Sequence, residues 1–283
     1  MRALLNYLPS CLLVSSALVV ATISANAQIV TLTDNNATAV VDTGSQAGMN
    51  FWSVDGNGIG GQNQLMQQWF WYRVDGGLQH SIDTIGTANN THTTANTLTT
   101  TYTSPNLFSI SIMYTLVGSG FGSGQSDIQE GIQIHNFTTT SLNISFYQYS
   151  HFTLLGENFG NTVTMDNASA YQQNGQTGIA ESIVAPDASA FEANTNGGTG
   201  STLYKLNNNP GLVLSGTSGT QTASGDVTWS FQWDFSVPGS GTQDITKDKL
   251  LNISFVPEPS ALGLAAVGYA VFALRRRWSV KKG

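Results

Sequence analysis

Tryptophans are the residues of this sequence whose chemistry is easiest to connect to a ligand. An exposed indole can stack on a sugar ring, while neighbouring Asn or Asp side chains hold the sugar hydroxyls. Trp229 and Trp233 share one face of a predicted strand with apolar residues, so we assign them to the core. Trp69 and Trp71 lie on a strand that has aromatic residues on both faces. If one of those faces is open, Trp69 and Trp71 are the expected glycan contacts.

Other side chains with catalytic or metal-binding potential do not form a recognisable site. The run Asp55–Gly60 begins like a calcium loop, but Ile59 and Met66 occupy positions that need oxygen ligands, so a glycine-rich hairpin or loop is the better interpretation. No histidine belongs to an HxH or HExxH motif, although His151 and Glu157 can meet across a turn. We therefore expect no catalytic residues, no metal and no cofactor. The alternative is a secreted hydrolase that brings two scattered carboxylates together in a cleft.

The N-terminal segment has the features of a secretory signal peptide. Arg2 supplies the positive charge, Cys11–Val20 is a short apolar run, and Ala25 and Ala27 form a small-x-small cleavage site before Gln28. The alternative, a buried N-terminal helix, is disfavoured because no amphipathic period is present. We assign residues 1–27 to the signal peptide and expect cleavage by signal peptidase.

The rest of the chain has no cysteine, because Cys11 is the only one in the sequence. Disulfides and zinc–cysteine sites are thereby excluded from the mature protein. Between Gln28 and Phe255 there are four basic and sixteen acidic residues, a formal charge of −12. Because such a surface repels phosphate backbones, we expect no nucleic-acid partner.

The segment 28–255 is predicted to be one all-β domain. Apolar residues alternate with polar ones in residues 110–116, 128–134, 142–146 and 227–235, which is the pattern of strands with one buried face. Leu65–Val74 is instead predicted to be a central strand that is covered on both sides.

Glycine-rich breaks separate these strands, and no convincing amphipathic helix lies between them. The pattern predicts an antiparallel β-sandwich, either jelly-roll-like or a large two-sheet sandwich. We expect one domain, with a soft boundary near Asn194–Gly200. The threonine-rich run Thr91–Thr103 is interpreted as an edge strand, and regular ice-binding rows are the disfavoured alternative.

The C-terminal segment, residues 256–283, combines a short apolar run with a basic tail. Ala261–Leu274 spans about 21 Å as a helix, which is less than the roughly 30 Å hydrocarbon core of a bilayer. The basic residues that follow match the positive-inside pattern, so we predict a transmembrane helix. The residues that mark the two ends of the segment are Val256, Pro257, Glu258, Pro259, Arg275, Arg276 and Arg277.

This arrangement resembles the PEP-CTERM sorting signal of Gram-negative bacteria. The resemblance covers Val256–Arg277 and rests on the Pro-Glu-Pro signature, the short apolar helix and the arginine cluster, in that order. It implies processing by an exosortase near Pro257–Pro259, after transient anchoring in the inner membrane. It also implies release to the cell surface or exterior, often in bacteria that produce exopolysaccharide and form biofilms. A plain single-pass anchor is the alternative.

These features favour an exported, non-catalytic surface or matrix protein with a structural or adhesive role in the envelope or exopolysaccharide layer. A carbohydrate-binding module is the second hypothesis, and a secreted hydrolase is the third. Exopolysaccharide is the partner expected outside the cell.

Overall fold

The computed structural model describes residues 28–55, 61–175 and 177–253. They form two β-sheets packed face to face around one hydrophobic core. The prediction of an all-β, antiparallel two-sheet sandwich is confirmed. The predicted signal helix and transmembrane helix lie outside the described residues.

Seventeen strands build the two sheets. In chain order they are β1 (Ile29–Asp34), β2 (Ala37–Asp42), β3 (Gly48–Val54), β4 (Leu65–Val74), β5 (His80–Ser81), β6 (Asn89–Thr94), β7 (Thr97–Ser104), β8 (Phe108–Gly118), β9 (Gln125–Asn136), β10 (Leu142–Phe152), β11 (Asn161–Met165), β12 (Ser169–Asn174), β13 (Thr177–Ala185), β14 (Ala190–Thr195), β15 (Gln221–Gly225), β16 (Val227–Val237) and β17 (Thr242–Asn252).

The first sheet has eight strands in the order β1-β2-β3-β4-β10-β16-β14, with β5 paired to β4. The second has nine strands in the order β15-β11-β12-β13-β17-β9-β8-β7-β6. Neighbouring strands run antiparallel except for a short parallel pairing of β3 with β4. The threonine-rich run forms the β6–β7 hairpin rather than a single edge strand, and only β6 lies at the edge of the sheet.

Strands β8 and β4 confirm the predictions made from residue alternation, whereas β16 corrects one of them. Strand β8 alternates between buried and more accessible residues along its whole length, as its sequence predicts. Strand β4 lies between β3 and β10 and is buried on both faces around Trp69–Trp71. The alternation in β16 predicts one open face, but residues 227–233 are buried on both sides.

The second face of β16 is covered by the segment that follows β14. The backbone N–H of Leu214 donates to Gln232 Oε1 at 2.9 Å, which places this segment against the polar face of the strand. The segment contains helix α1 (Thr202–Asn208), capped by Ser201, whose hydroxyl accepts the N–H of Tyr204 at 3.3 Å. A helix of seven residues is too short to show a helical period in the sequence.

Two single-turn 3₁₀ helices, Ile82–Thr84 and Leu154–Gly156, complete the regular structure of the described residues. None of the helices in these parts of the chain has the length and apolar character needed to span a bilayer.

Candidate functional site

The outward side of the nine-stranded sheet, the outer face, is an open surface of polar side chains. Its strands bury every second residue in the core and turn the others outward. The outward side chains are mostly hydroxyls, amides and carboxylates, with a few exposed apolar groups. They include Thr99, Ser111, Met113, Asp127, Gln129, Gln133, Tyr171, Ser182, Asp244, Thr246, Asp248 and Leu250.

A pair of carboxyl groups lies on the outer face. In the β9–β17 register, Asp127 lies opposite Leu250 and Asp248 lies opposite Gln129, so the two aspartates are diagonal neighbours on one face. Burial, followed by a side-chain hydrogen bond with Asp248 and by the charge of Asp248, raises the pKa of Asp127 to about 7. The pair therefore holds a proton at mildly acidic pH that an isolated carboxylate would have lost.

A groove of about 430 Å³ crosses the outer face above Gly131. A Cβ at residue 131 would be in ordinary van der Waals contact with Met113, 3.4 Å from its terminal methyl. Gln133 and Asp244 bridge the groove floor through a hydrogen bond of 3.1 Å from Nε2 to Oδ1. Hydroxyl groups of three further residues contribute to its lining, namely those of Thr99, Ser111 and Thr246.

Tyr171 provides an exposed aromatic ring on the same face. It belongs to β12, and its ring leans over Gly178 of β13, where an added Cβ would lie 3.0 Å from the phenol oxygen and 3.1 Å from Cε2. The side chain nevertheless remains 49% exposed. One edge of the ring thus packs over Gly178, while the rest is exposed to solvent. This arrangement suits stacking on a flat apolar ligand surface.

The sequence reasoning missed Asp127, Asp248 and Tyr171. A signal for Asp127 existed, because the alternation around Ile128 and Ile132 places it on the outward side of β9. Its proximity to Asp248 depends on the pairing of β9 with β17, strands more than a hundred residues apart, and is not visible in the sequence.

The structure corrects the expectation that Trp69 and Trp71 contact a glycan. Both side chains are fully buried in the eight-stranded sheet. The indole N–H of Trp69 donates to Ser81 Oγ at 2.7 Å, and that of Trp71 donates to Asn207 Oδ1 at 3.1 Å. The chain segments that carry Ser81 and Asn207 cover these indoles, so neither ring has a face open to a sugar. The other two core assignments are confirmed, since Trp229 and Trp233 are buried as well.

His151, which could have met Glu157 across the turn, pairs with another residue. His151 Nε2 lies 2.7 Å from Asp226 Oδ1, and Asp226 also accepts a hydrogen bond from Asn196 at 3.0 Å. Within residues 28–55, 61–175 and 177–253, no three His, Cys, Asp or Glu side chains converge where they could hold a metal ion. Residues 56–60 of the calcium-like run are not among those described.

The sorting and cleavage residues also fall outside the described ranges, except for Gln28. They are Ala25, Ala27, Val256, Pro257, Glu258, Pro259, Arg275, Arg276 and Arg277. Gln28 lies next to the start of β1, where its carbonyl accepts the backbone N–H of Thr43 at 2.7 Å.

The sandwich is similar in fold to domains of two solved proteins. One is a bacterial glucoamylase in complex with acarbose, with a TM-score of 0.52 and 9% identity; the match covers 82% of this chain and 34% of that protein. The other is a "putative aldose 1-epimerase" from Escherichia coli K12, with a TM-score of 0.50 and 9% identity, covering 81% of this chain and 99% of that one. At such low identity the likeness shows the fold alone. This chain spans about a third of the glucoamylase.

No curated protein sequence matches the chain significantly. The family model that matches is the PEP-CTERM protein-sorting motif, over residues 255–277. The motif indicates an exported protein that is sorted to the cell surface, and it implies processing by an exosortase. The chain is therefore a PEP-CTERM motif-containing protein.

Proposed function

We propose that the sandwich is the non-catalytic, polysaccharide-binding part of an exported surface protein, and that it binds its ligand on the outer face. The observation that carries this proposal is the combination of the exposed Tyr171 ring with rows of hydroxyl, amide and carboxylate groups on an open sheet. Aromatic rings stack on the apolar faces of sugars, and the polar groups around them can hold sugar hydroxyls.

The fold and the sorting motif are compatible with this proposal. The glucoamylase that shares the fold was solved with acarbose bound, and the Escherichia coli protein is described as a "putative aldose 1-epimerase". Sorting to the cell surface brings the sandwich to the place where exopolysaccharide accumulates. Binding there would give the protein a structural or adhesive role in the envelope or matrix.

The charge of the sandwich restricts the class of polysaccharide. The outer face carries Asp127, Asp244 and Asp248, while Lys247 and Lys249 of the same sheet point into the core and are buried. Because these acidic groups face the ligand and the two lysines do not, the outer face repels uronic acids and sulfated sugars. The expected ligands are neutral polysaccharides or polysaccharides with amino sugars.

A pair of matched tyrosine variants tests the proposal. Tyr171 is 49% exposed on the outer face, and Tyr204 is 40% exposed on α1, which packs against the other sheet. In pull-down assays with a panel of neutral, amino and acidic polysaccharides, we expect Tyr171→Ala to weaken binding by about tenfold. Tyr204→Ala should bind like the unmodified protein. Equal binding by all three proteins, or binding only to acidic polymers, would contradict the proposal.

A secreted hydrolase is the second candidate, and the Asp127–Asp248 pair is the observation that favours it. A carboxyl group with a pKa near 7 can act as a general acid. The placement is unfavourable, however, because the two aspartates are diagonal neighbours on an open sheet face, whereas the carboxyls of a glycosidase flank the scissile bond of a bound sugar. Release of reducing ends from a bound polysaccharide, abolished by Asp127→Asn, would establish the hydrolase instead.

A further inference from the structure

Four ionisable side chains meet in the core between the two sheets. Glu130 of β9, Glu181 of β13, and Lys247 and Lys249 of β17 are each no more than 1% exposed. Lys247 lies directly opposite Glu130 in the β9–β17 register, and Lys249 lies directly opposite Glu181 in the β13–β17 register. Burying four charges is costly unless each is closely paired, so this cluster needs a specific explanation.

The two carboxyl oxygens of Glu130 have different surroundings. Oε1 receives a hydrogen bond from Gln68 Nε2 at 2.6 Å and lies 2.7 Å from Lys249 Nζ. Oε2 contacts Lys247 Nζ instead. The Gln68 donor and the nearby Lys249 amine polarise this carbonyl and can stabilise negative charge that develops on Oε1, as an oxyanion hole does. The other oxygen is left beside an amine.

Lys247 is placed to act as a nucleophile. Burial, followed by the nearby charge of Lys249, holds the pKa of Lys247 well below its ordinary value. A lysine in such surroundings favours the neutral amine, which has a free electron pair for attack on a carbonyl carbon. Its Nζ lies 5.2 Å from the centre of the Phe70 ring, on the side of the opposing sheet, so bulk water has no approach from that direction.

Glu181 is held where it can move a proton. Gln148 Nε2 donates to its two oxygens at 2.7 and 2.9 Å, and the indole N–H of Trp229 donates to Oε2 at 3.0 Å. These donors fix the carboxylate so that Oε1 lies 3.4 Å from Lys247 Nζ. Glu181 is therefore a base within reach of the amine.

We propose that Lys247 and Glu130 condense spontaneously after folding to form an intramolecular isopeptide bond. A proton passes from the Lys247 ammonium to Glu130, which gives an amine and a carboxylic acid. Lys247 Nζ then forms a bond to Cδ of Glu130, and negative charge develops on Oε1 between Gln68 and Lys249. Glu181 takes a proton from the attacking nitrogen and delivers it to Oε2, which leaves as water. The products are one amide and one water molecule, so the step needs no oxidant and no co-substrate.

The charges that remain after this reaction are balanced. Glu181 and Lys249 are direct cross-strand neighbours, with Lys249 Nζ 3.6 Å from Oε1 of Glu181. The amide thus removes one buried ion pair and leaves the other as a matched pair. The described residues contain no cysteine, so such a bond would be the covalent link between strands far apart in the sequence that a disulfide supplies in other exported proteins.

Peptide mapping by tandem mass spectrometry of the purified, denatured full chain tests the proposal. The expected result is a branched peptide that joins the Glu130 and Lys247 segments, lighter by one water molecule than the two linear peptides together. Recovery of both segments only as separate linear peptides would overturn it. Because this measurement uses the unmodified protein, its outcome does not depend on whether a variant folds.

Substitutions of Lys247 and Glu181 test the nucleophile and the proton-transferring residue of the proposed reaction separately. Lys247→Arg should abolish the branched peptide, and Glu181→Gln should abolish or greatly slow its formation, although both linking residues are still present. Glu192 and Lys205 serve as the internal control: they also form a close ion pair, but the Lys205 side chain is 20% exposed, and among the described residues no second carboxylate pairs with it. These two residues should always be recovered in linear peptides. An undiminished branched peptide in Glu181→Gln would rule out the assigned role of Glu181.

Discussion

Asp127 and Asp248 are a pair of diagonal neighbours on a sheet face that is otherwise open to solvent. The next residue of β17, Lys249, points to the opposite side of the sheet, where it meets the buried glutamates. Strand β17 therefore has an acidic outer side and a cationic inner side. This separation gives the outer face its charge and the core its ion cluster.

The carboxyl pair predicts a specific dependence of stability on pH. The pKa of Asp127 is about 7 in the folded protein and 3.8 in the absence of neighbours, so between these values the folded state binds more protons than the unfolded state. The free energy of unfolding should therefore fall as pH rises from about 4 to about 7. Asp127→Asn should remove this part of the pH dependence and raise Tm near neutral pH.

Thermal unfolding of the two proteins across that pH range measures the effect. Asp244→Asn is the matched control, because it removes a carboxylate from the same face outside the pair. Identical pH profiles for Asp127→Asn and the unmodified protein would show that the two carboxyls do not share a proton.

Substitution of two aromatic residues that lie in different environments should change the stability of the fold by very different amounts. Trp71 is completely buried and its N–H is bonded, so Trp71→Ala should reduce the free energy of unfolding by about 3 to 5 kcal/mol. Tyr171 is half exposed, so Tyr171→Ala should change stability by only about 0.5 kcal/mol. Urea unfolding of both variants gives the comparison. A mild effect of Trp71→Ala would mean that its indole is accessible after all.

The burial of Trp69 and Trp71 shows that contacts between distant segments could not be predicted from the sequence. Local alternation correctly predicts strand β8, and the aromatic residues on both faces of β4 correctly predict its two-sided burial, because side chains on a strand alternate regardless of the fold. Alternation does not show that the chain between β14 and β15 returns over β16, since that contact joins distant segments. Lys247 and Lys249 were missed for a related reason: an alternating Lys-x-Lys strand looks solvent-exposed until two buried glutamates are placed opposite it.

The end of β8 lies close to the turn after β1. Alanine substitutions of Gly118 and Gly120, two glycines at this end, should therefore change the stability of the fold by very different amounts. At Gly118, the end of β8, a Cβ would overlap the carbonyl oxygen of Asp34 and lie 2.8 Å from its carbonyl carbon. The Gly118 N–H also donates to Asp34 Oδ2 at 2.8 Å. Because backbone atoms cannot move aside easily, Gly118→Ala should destabilise the fold by about 2 to 3 kcal/mol.

Gly120 is the control for this substitution, because a Cβ there would meet no atom within 4 Å. In urea unfolding, Gly120→Ala should leave the free energy of unfolding within about 0.5 kcal/mol of that of the unmodified protein. Equal effects of the two substitutions would mean that the β8 end does not pack against the turn after β1.

The sorting motif predicts the fate of a variant that lacks the Pro-Glu-Pro signature. If an exosortase reads residues 257–259, deletion of Pro257–Pro259 should leave an unprocessed chain that keeps its basic tail and fractionates with the membrane. Replacement of Arg73, which lies in the sandwich and bonds to the Leu212 carbonyl at 3.0 Å, should not affect processing if the protein still folds. Immunoblots of membrane and culture-medium fractions, with one tag in the sandwich and one after residue 277, distinguish the two forms. Unchanged release of the sandwich from the deletion variant would refute processing at this signature, because the enzyme would have lost the residues it is expected to recognise.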